Sequence, residues 1–544
     1  MKKFITTLCL ILCLLMAFSA VGCTGKEWKV GYAGGEVSSN GGFSVEVGDY
    51  VYFINGIATA TDKNDFGTPV KGSLVRMKKA DLKNPQEATS AEVVVPKLFA
   101  SSYYEAGVSI FNDYVYYASP NADTNKKGEV LNSQIVFYKT KLDGTGTTKI
   151  LTCDSLSQEY KFVQVGQEIY LITVTASSTE SNATYALKVY NANTGAKLFE
   201  KEDADSYAIP TELSLSADLG YIFFTDKIKD ENEQDKEYGA LYAYKLGEEK
   251  EGVLFSGAIV EDGSFGTKGY SFKALKYANG CLYFTDYNVN SSSDDLFFYF
   301  VEMTSSIKVL DTESETFEDD NKANYAQIVE LQDVLGANVK TAISKTSIFN
   351  SKTEIIYFEA SVGLLSYDYT GEASVLVYKS KLSALTSPTF KLIANGFAYF
   401  ADSSNILYRI KLDDATAELQ KITPVSSDTG WYNIEVVTVD GVDYVLLNLN
   451  GEPYNKYIFA MEADVEAKIA RENADELPET TAADYQEKLD EMVEEYFKAI
   501  GDKEEDAISA LLNLKIGVTV KADKDLVNSY MSSNYASSSS SSSK

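Results

Sequence analysis

The sequence predicts an all-β protein built from repeated four-stranded units, and three observations carry that prediction. A turn followed by an aromatic strand and then a second strand recurs about eight times along the chain. The 38 Tyr and 27 Phe of the 544 residues favour the pleated, half-buried surfaces of sheets. No helical pattern separates the strands before residue 464, which argues against barrels and doubly wound folds that alternate strands with helices.

The clearest copy of the unit is NGFAYFADSSNILYRIKLD at residues 395–413. An Asn-Gly turn leads into an aromatic strand that stops at Asp402, and a short loop then leads into a second strand. A unit of this kind cannot bury its apolar face alone, so neighbouring copies must stack.

The copies align on the second aromatic position of the first strand, which we call the anchor residue. Apolar and polar positions alternate around each anchor with the period of two that marks a strand. The anchors are Tyr52, Tyr116, Tyr170, Phe223, Tyr283, Tyr357, Tyr399 and Tyr444. The second strands are expected at 73–82, 135–146, 185–195, 241–248, 296–303, 364–372, 406–414 and 456–464.

Two further strands complete each unit. A short strand follows the second one, as at 419–422, and an apolar segment such as 390–394 leads to the next anchor. Four-stranded units repeated radially are the blades of a β-propeller. Eight anchors predict eight blades, or seven if one unit is degenerate, and the third and fourth copies match least well.

The last unit lacks a fourth strand, because the chain turns helical after Asp464. Residues 27–32, EWKVGY, precede the first unit and alternate like a strand. We therefore expect them to complete the last blade and close the ring, which removes exposed sheet edges.

These units resemble the YWTD/TolB-like β-propeller repeats of uncharacterised lipoproteins from Gram-positive bacteria, a domain-of-unknown-function family. The residues that carry the resemblance are NGFAYFAD with ILYRIKLDD, and DYVYYA with IVFYKTKLDGTGTTKILT. It covers about residues 27–464. The Tyr-Trp-Thr-Asp form itself is replaced by YFTD at 283–286 and FFTD at 223–226. The resemblance implies the fold and says little about function, because propellers host many activities.

Residues 1–22 are expected to be a lipoprotein signal peptide. Two lysines precede an apolar run at 8–18, and small residues follow it. Residues 20–23, AVGC, resemble a lipobox, although Ala20 stands where Leu is usual. The resemblance implies cleavage before Cys23 and its diacylation, and two acyl chains give stable anchoring. A plain cleaved signal and an uncleaved anchor are the alternatives. We expect the protein on the extracytoplasmic face of the cell membrane.

Charge and composition exclude several functions. The net charge of −30 repels phosphate backbones, so we expect no nucleic-acid partner. The chain has no His, which excludes Ser-His-Asp and Cys-His catalysis and His-ligated zinc. After removal of the signal, Cys153 and Cys281 remain besides Cys23, and we expect both to be free, buried thiols. No cofactor is expected.

Two sets of polar residues are candidate sites. Asn121, Asp123 and Asn125 are spaced like ligands of a calcium loop, but the following Gly is late and the required Glu is missing, so a polar inter-strand loop is the preferred interpretation. The acidic residues that follow aromatic strands are a possible glycosidase pair. Their repetition in one register favours structural turns that bind nearby backbone N–H groups. These residues are Asp226, Asp286 and Asp402.

The chain after the predicted propeller, residues 23–464, is expected to form a helical extension at 465–516 and a flexible Ser-rich tail at 517–544. Apolar residues recur at helical spacing over 481–500, after a capping box of Thr481 and Asp484. Gly501 ends this helix and a second begins at Asp502, so we predict a hairpin whose apolar stripe packs on the propeller. The alternative is a partner-binding helix.

Function follows as a hypothesis. We expect a membrane-anchored propeller that binds a protein or an extracellular polymer such as a glycan, without catalysis. Its site is expected at one end of the ring, in the long insertions at 55–72, 118–133 and 287–295. The alternative is a polysaccharide-active enzyme that uses acidic residues at the propeller mouth. A third hypothesis is an accessory subunit of an envelope complex that docks through the helices.

Overall fold

The computed structural model describes residues 29–501 with gaps. The residues outside the description in this range are 32, 38–39, 55–72, 84–91, 96, 98, 100–107, 122–133, 155–158, 179–182, 211–219, 230–236, 257–271, 279–280, 288–295, 304–306, 331–347, 351–355, 361–362, 368–373, 413, 415, 424–430 and 450–456.

The described strands form eight antiparallel sheets, of which seven have four strands and the last has three. In every sheet the strands are ordered as they follow in the chain, and we number the sheets blades 1 to 8. Blades 1 to 4 contain β1 (Ser44–Val47), β2 (Tyr50–Ile54), β3 (Leu74–Lys78), β4 (Glu92–Val95); β5 (Ser109–Phe111), β6 (Tyr114–Pro120), β7 (Ile135–Lys141), β8 (Thr148–Cys153); β9 (Glu159–Val165), β10 (Glu168–Ala176), β11 (Tyr185–Asn191), β12 (Lys197–Ala204); β13 (Ser206–Ala208), β14 (Tyr221–Lys229), β15 (Glu237–Lys245) and β16 (Gly252–Ser256).

Blades 5 to 8 continue the same meander. They contain β17 (Lys273–Ala278), β18 (Cys281–Tyr287), β19 (Leu296–Glu302), β20 (Val329–Glu330); β21 (Ile348–Asn350), β22 (Ile356–Ala360), β23 (Gly363–Tyr367), β24 (Ser374–Tyr378); β25 (Thr389–Ala394), β26 (Phe397–Ala401), β27 (Leu407–Lys411), β28 (Gln420–Lys421); β29 (Trp431–Val439), β30 (Val442–Leu449) and β31 (Tyr457–Glu462). Every anchor residue lies on the second strand of its sheet, as the repeat predicts.

Buried apolar side chains fill the space between consecutive sheets, so each hydrophobic cluster contains residues of neighbouring blades. For blades 5 and 6 the facing side chains lie outside the part that the structure describes. For the other consecutive pairs, representative members, one from each blade, are Val51 and Val115, Phe137 and Phe162, Val189 and Ile222, Leu241 and Leu282, Leu364 and Phe400, and Tyr399 and Val445.

The last blade packs on the first. Val437 and Leu446 of blade 8 belong to the same buried cluster as Val45 of β1. Glu435 accepts a hydrogen bond from the Ser44 hydroxyl across this seam. The sheets therefore form a closed ring, and the prediction of an eight-bladed β-propeller with C-terminal helices is confirmed.

The prediction that residues 27–32 complete blade 8 is wrong for the residues described. The Val30 N–H donates to the Asp143 carbonyl in blade 2 at 2.8 Å, and the Gly31 carbonyl accepts from Arg76 in blade 1 at 2.6 Å. Val37 then forms a single antiparallel bridge with Val47 of β1. The segment lies across blades 1 and 2 because the buried Arg76 guanidinium requires a carbonyl acceptor, and period-two alternation alone does not reveal this need.

The connections between strands define two ends of the ring. In a four-stranded meander the first and third connections lie at one end and the second connection lies at the other. Leu142 and Leu412, just after third strands, bond Asp113 and Gly396 of the first connections, as this arrangement requires. Pro210, just after β13 of blade 4, forms a parallel bridge with Tyr277 of β17 in blade 5. The first strands of these two blades therefore run in the same direction. We call the end with the first and third connections the turn face and the opposite end the loop face.

Tight hairpins at the turn face follow from their sequence. At Asn395-Gly396 and Asp440-Gly441 both central residues have positive φ, between 49° and 80°. Two positive φ values are the signature of a type I′ turn, whose twist matches that of the flanking strands. The Asn-Gly and Asp-Gly pairs of the repeat therefore set the register of these hairpins.

A cation recurs on the third strand opposite the anchor residue in three blades. The facing pairs are Arg76 with Tyr52, Lys139 with Tyr116, and Arg409 with Tyr399. Each cation also lies over the ring two positions before the anchor. The distances to the ring centroids of Tyr50, Tyr114 and Phe397 are 4.9, 5.5 and 4.1 Å. This geometry is that of cation–π attraction.

The fourth strand supplies an acceptor for the two arginines. Arg76 donates twice to Glu92 Oε2, at 3.1 Å from Nε and 2.7 Å from Nη2. Arg409 Nε donates to Gln420 Oε1 at 2.8 Å. Both guanidinium groups are almost fully buried, so these acceptors offset the cost of removing a charge from water.

Blade 8 reverses this arrangement. Glu462 stands opposite the anchor Tyr444, and no fourth strand follows among the described residues. Arg471 of helix α2 (Val465–Glu472) pairs with both oxygens of Glu462, at 3.0 and 2.6 Å. The helix thus supplies the partner that a fourth strand supplies in blade 1.

The C-terminal helices form a hairpin of α2 (Val465–Glu472) and α3 (Ala482–Gly501). Thr481 caps α3 as the capping box predicts, since its Oγ1 accepts from the Asp484 N–H at 3.1 Å, and the Asp484 carboxylate accepts from the Thr481 hydroxyl at 2.5 Å. The predicted partner helix from Asp502 lies outside the described residues, and the hairpin partner observed is α2. The apolar stripe packs on α2 more than on the propeller, in a cluster of Val465, Ile469, Leu477 and Leu489 with Tyr485, Met492, Val493, Tyr496 and Phe497.

Polar contacts join this hairpin to blade 7. Arg409 pairs with Asp464, the N-cap of α2, at 3.2 Å. Lys421 of β28 lies 4.8 Å from the ring centroid of Phe497 in α3. The hairpin is therefore fixed beside blades 7 and 8.

A third helix, α1 (Phe317–Tyr325), covers the outer edge of blade 4, although it belongs to the connection between β19 and β20 of blade 5. Asn321 exchanges two hydrogen bonds with the backbone of Ser256, each 3.0 Å long. Asn324 Nδ2 donates to the carbonyls of Leu254 at 2.9 Å and Lys308 at 2.7 Å. These amides satisfy an edge strand that would otherwise expose unpaired backbone groups.

Replacing Asn324 by alanine is expected to lower the free energy of unfolding by about 2–3 kcal/mol, because it leaves buried backbone groups without partners. The measurement is urea denaturation followed by tryptophan fluorescence and circular dichroism. The exposed Glu315, changed to Gln, is the matched control and should leave the midpoint unchanged. Equal midpoints for both variants would show that α1 does not stabilise this edge.

Candidate functional site

The three long insertions leave the ring at the loop face. They are the second connections of blades 1, 2 and 5, which join β2 to β3, β6 to β7 and β18 to β19. The strands β6 and β18 reach Pro120 and Tyr287, so the last two insertions begin at 121 and 288 rather than at 118 and 287. Most residues of the three insertions lie outside the described part of the chain.

The base of the blade 2 insertion is held by amide groups. The backbone N–H of Asn121 donates to the Gln134 carbonyl at 2.9 Å, and its side-chain Nδ2 donates to Gln134 Oε1 at 2.7 Å. Gln134 in turn donates to Asp154 at 2.8 Å. Asn121 is buried, so this network fixes the two ends of the insertion on the rigid sheet.

The calcium candidates are divided by this geometry. Asn121 serves the base of the loop, whereas Asp123 and Asn125 lie outside the described residues. Among the described residues no group of three or more Cys, Asp or Glu is placed to hold a metal ion. The calcium hypothesis therefore stays a prediction.

The acidic residues after the aromatic strands do not share one role. Asp402 Oδ1 accepts from the N–H groups of Ser404 at 2.8 Å and Ile406 at 3.0 Å, which confirms the turn interpretation there. For Asp226 that interpretation is wrong, because β14 continues to residue 229 and Asp226 pairs with Lys201 within the sheet region. The longer hairpin between β14 and β15 carries the strand past the expected stop.

Two of the three acidic residues are engaged by other groups. Asp226 of blade 4 pairs with Lys201, and Asp402 of blade 7 accepts from backbone N–H groups. Asp286 lies within β18 of blade 5, opposite Phe297, and its side chain is outside the description. A glycosidase needs two carboxyl groups that flank one bond, and the described contacts of Asp226 and Asp402 do not support that role for these two residues.

A tyrosine pair lies at the loop face between blades 3 and 4. The Tyr207 hydroxyl donates to Glu159, and the rings of Tyr185 and Tyr207 meet edge to face at 4.8 Å. Burial, together with the neighbouring Glu159 carboxylate, raises the pKa of Tyr207 well above its usual range. Tyr185 begins the third strand of blade 3 and Tyr207 lies on the first strand of blade 4. The sequence analysis did not identify this pair.

At the turn face of blade 4 a shallow surface pocket of about 650 Å³ lies between the sheet and the α1 insertion. Tyr221, Lys245, Glu248, Lys250 and Val309 are among the residues that line it. Charges of both signs alternate around it, and no nucleophile, metal ligand set or oriented base is present among these side chains. We assign it no chemistry.

The cysteine prediction is confirmed for the two residues described. Cys153 ends β8 in blade 2 and Cys281 begins β18 in blade 5; both are buried, and neither forms a disulfide. Cys23 and residues 1–22 lie outside the described part. None of the described helices combines the length and the apolar character needed to cross a bilayer.

No protein-family model matches the chain, and no curated protein does. Solved structures that it resembles include the β-propeller domain of the Trilobed protease from Pyrococcus furiosus, with 10% identity, a TM-score of 0.34, and coverage of 72% of this chain and 98% of that one. TolB from Acinetobacter baumannii gives 10% identity, a TM-score of 0.26, and coverage of 65% and 80%. An uncharacterised protein from Listeria monocytogenes gives 11% identity, a TM-score of 0.29, and coverage of 63% of this chain and 87% of that one.

These likenesses are too distant to indicate a function. The architecture is established by the eight sheets and by the side-chain packing described for every consecutive pair of blades except blades 5 and 6. The chain is an eight-bladed β-propeller that carries a C-terminal helical hairpin.

Proposed function

We propose that this protein is a lipid-anchored, extracytoplasmic β-propeller that binds a protein or an extracellular polymer, such as a glycan, at its loop face without catalysis. The observation that carries the proposal is that the three long insertions all leave one end of a closed ring. Binding residues are found disproportionately on loops that a rigid scaffold positions.

The anchoring part of the proposal is supported by the order of residues 1–23, in which basic, apolar and small residues precede Cys23. Two acyl chains on this cysteine would hold the ring at the membrane. The net charge of −30 disfavours anionic polymers as ligands and favours a neutral or basic surface.

The non-catalytic part is supported by the described carboxylates of the repeat. Asp402 is engaged by backbone N–H groups and Asp226 by a lysine, so neither is placed as a general acid or nucleophile. The chain also lacks His, the commonest general base near neutral pH.

The test is crosslinking of the full-length protein in its native membrane, followed by mass spectrometry of captured proteins, and a glycan array probed with the purified protein. Replacing residues 57–70 by a short Gly-Ser linker is expected to reduce capture or glycan binding at least tenfold, since it removes one of the three insertions. Changing Glu249 and Glu251 at the turn face to Gln is the matched control and should leave binding unchanged.

A partner captured equally by the loop variant and the wild type would place binding elsewhere. Removal of residues 502–544 tests part of the accessory-subunit hypothesis. Loss of the partner on that truncation would favour docking through the predicted helical extension after residue 501.

A further inference from the structure

We infer that the turn face of the ring faces the membrane and that the loop face points away from it. The inference rests on the proposed anchoring through Cys23 and adds to it an orientation that follows from where the described chain enters the ring.

The entry point is fixed by hydrogen bonds at the turn face. The Val30 N–H donates to the carbonyl of Asp143, which lies in the third connection of blade 2. The Glu36 carbonyl accepts from the N–H of Gly48, in the first connection of blade 1, at 3.1 Å. Both connections belong to the turn face, so residues 30–31 and 33–36 lie along that end.

Side chains reinforce this placement. The Gly31 carbonyl accepts from Arg76 at 2.6 Å and the Ala33 carbonyl accepts from the Tyr52 hydroxyl at 3.2 Å. Although partial burial opposes it, hydrogen bonds from Thr145 and the positive charge of Lys29 lower the pKa of Asp143. Backbone and side-chain contacts thus hold the segment from Lys29 onward to the turn face.

The distance to the anchor is short. Five residues lie between Cys23 and Lys29, which makes six residue-to-residue steps, and an extended chain spans at most about 3.3–3.6 Å per step, so the tether reaches about 20 Å. The second strands of the two blades that the segment contacts, β2 and β6, have five and seven residues, so they are about 17 and 23 Å long at about 3.3 Å per residue. A tether that starts at the turn face spans about the height of these blades only at full extension, so the turn face is the end of the ring nearest to the anchor.

One consequence concerns the binding loops. The three long insertions would extend into the extracytoplasmic space, whereas the connection that carries α1 and the helical hairpin, which both follow third strands, would start on the membrane side. The proposed ligand would then approach from solution or from the cell wall rather than from the bilayer.

Blade 3 offers a matched set of probe positions. Ala176 ends β10 at the loop face, and Ala196 lies in the connection between β11 and β12 at the turn face; both are exposed. Leu198, with 40% of its surface exposed, lies on the outer strand β12. Each is changed to Cys, labelled with a fluorophore in the lipidated full-length protein, and reconstituted into phosphatidylcholine vesicles that contain headgroup-attached spin quenchers. Cys153 and Cys281 are buried, which limits background labelling.

The A196C probe is expected to be quenched at least threefold more strongly than the A176C probe. The orientation would be overturned by equal quenching of the A196C and A176C probes or by stronger quenching of A176C. It would also be overturned if the L198C probe were quenched most strongly, because that result indicates a ring lying on its side. Vesicle flotation of the unlabelled wild type and of Cys23→Ser separates the two proposals. If the wild type floats with the vesicles and Cys23→Ser does not, the lipid anchor is supported whatever the quenching pattern. If the wild type does not float, or if Cys23→Ser still floats, the anchor is overturned and the orientation with it.

Discussion

Replacing Gly363 by alanine is expected to lower the free energy of unfolding by about 3–5 kcal/mol, the sum of backbone strain and a steric clash. Gly363 begins β23 with φ of +139°, a conformation that L-residues with a side chain rarely adopt. A Cβ atom there would lie 2.0 Å from the Val377 carbonyl oxygen and 2.9 Å from the Lys379 nitrogen. Both are backbone atoms of the neighbouring strand and its continuation, so a rotamer change cannot relieve the contact.

The matched control is Gly396→Ala. Gly396 also has a positive φ, +79°, but nothing lies within 4 Å of the Cβ position. This variant should lose about 1–2 kcal/mol, from left-handed strain alone. Urea denaturation of both variants separates the two causes, and equal losses would show that the close approach of β23 to β24 contributes nothing.

Replacing Arg76 by methionine is expected to lower the free energy of unfolding by about 2–4 kcal/mol, at the lower end of the range for breaking a buried ion pair because Glu92 is partly exposed. The Arg76 side chain is only 2% exposed and Glu92 is 41% exposed. Methionine preserves most of the volume but leaves the Gly31 carbonyl and the Glu92 carboxylate without their donor. The loss therefore reports hydrogen bonding rather than a cavity.

Two controls sharpen this test. Arg76→Lys keeps the charge but cannot reach Glu92 and Gly31 with one planar group, so it should recover only part of the loss. Lys83→Ala breaks an exposed pair with Asp440 and should not change the urea midpoint measurably. Full stability of Arg76→Met would refute the role assigned to the guanidinium. In native-state hydrogen exchange of this variant, the segment around Gly31 should be the first to lose protection.

The repeat predicted the fold because its signals are local: each depends on residues that are close together in the sequence. Alternating aromatic residues around each anchor and the Asn-Gly or Asp-Gly turns specify hairpins, and eight such hairpins have one way to bury their faces. Even the third and fourth copies, which match the pattern least well, form complete four-stranded blades. Their buried strands retain the alternation although the turn residues differ.

What the sequence missed depends on contacts between distant residues. EWKVGY alternates like a strand, but the acceptor needs of Arg76 and the position of Asp143 decide where its described part lies. The first turn of α1 contains the acidic run 318–320, which by itself is typical of a solvated loop, and its docking depends on two asparagines that meet the backbone of another blade. Neither placement can be inferred from the residues on one side of the contact.

The candidate site was predicted only by its location. The strand bounds confirm that the three insertions share one end of the ring, whereas their side chains lie outside the described residues. Tyr185 and Tyr207, which meet at the same end, were not identified because each has the alternation of an ordinary strand residue.

The seam between blades 8 and 1 has a mechanical consequence. It is joined by side chains, whereas the N-terminal segment is bound to blades 1 and 2. A force applied along the tether would enter the ring through the hydrogen bonds of Val30 and Gly31 and would load the interface of blades 1 and 2 in shear. This load path bypasses the seam, where no strand shared by blades 8 and 1 is seen among the described residues, so tension on the tether would not pull the seam open.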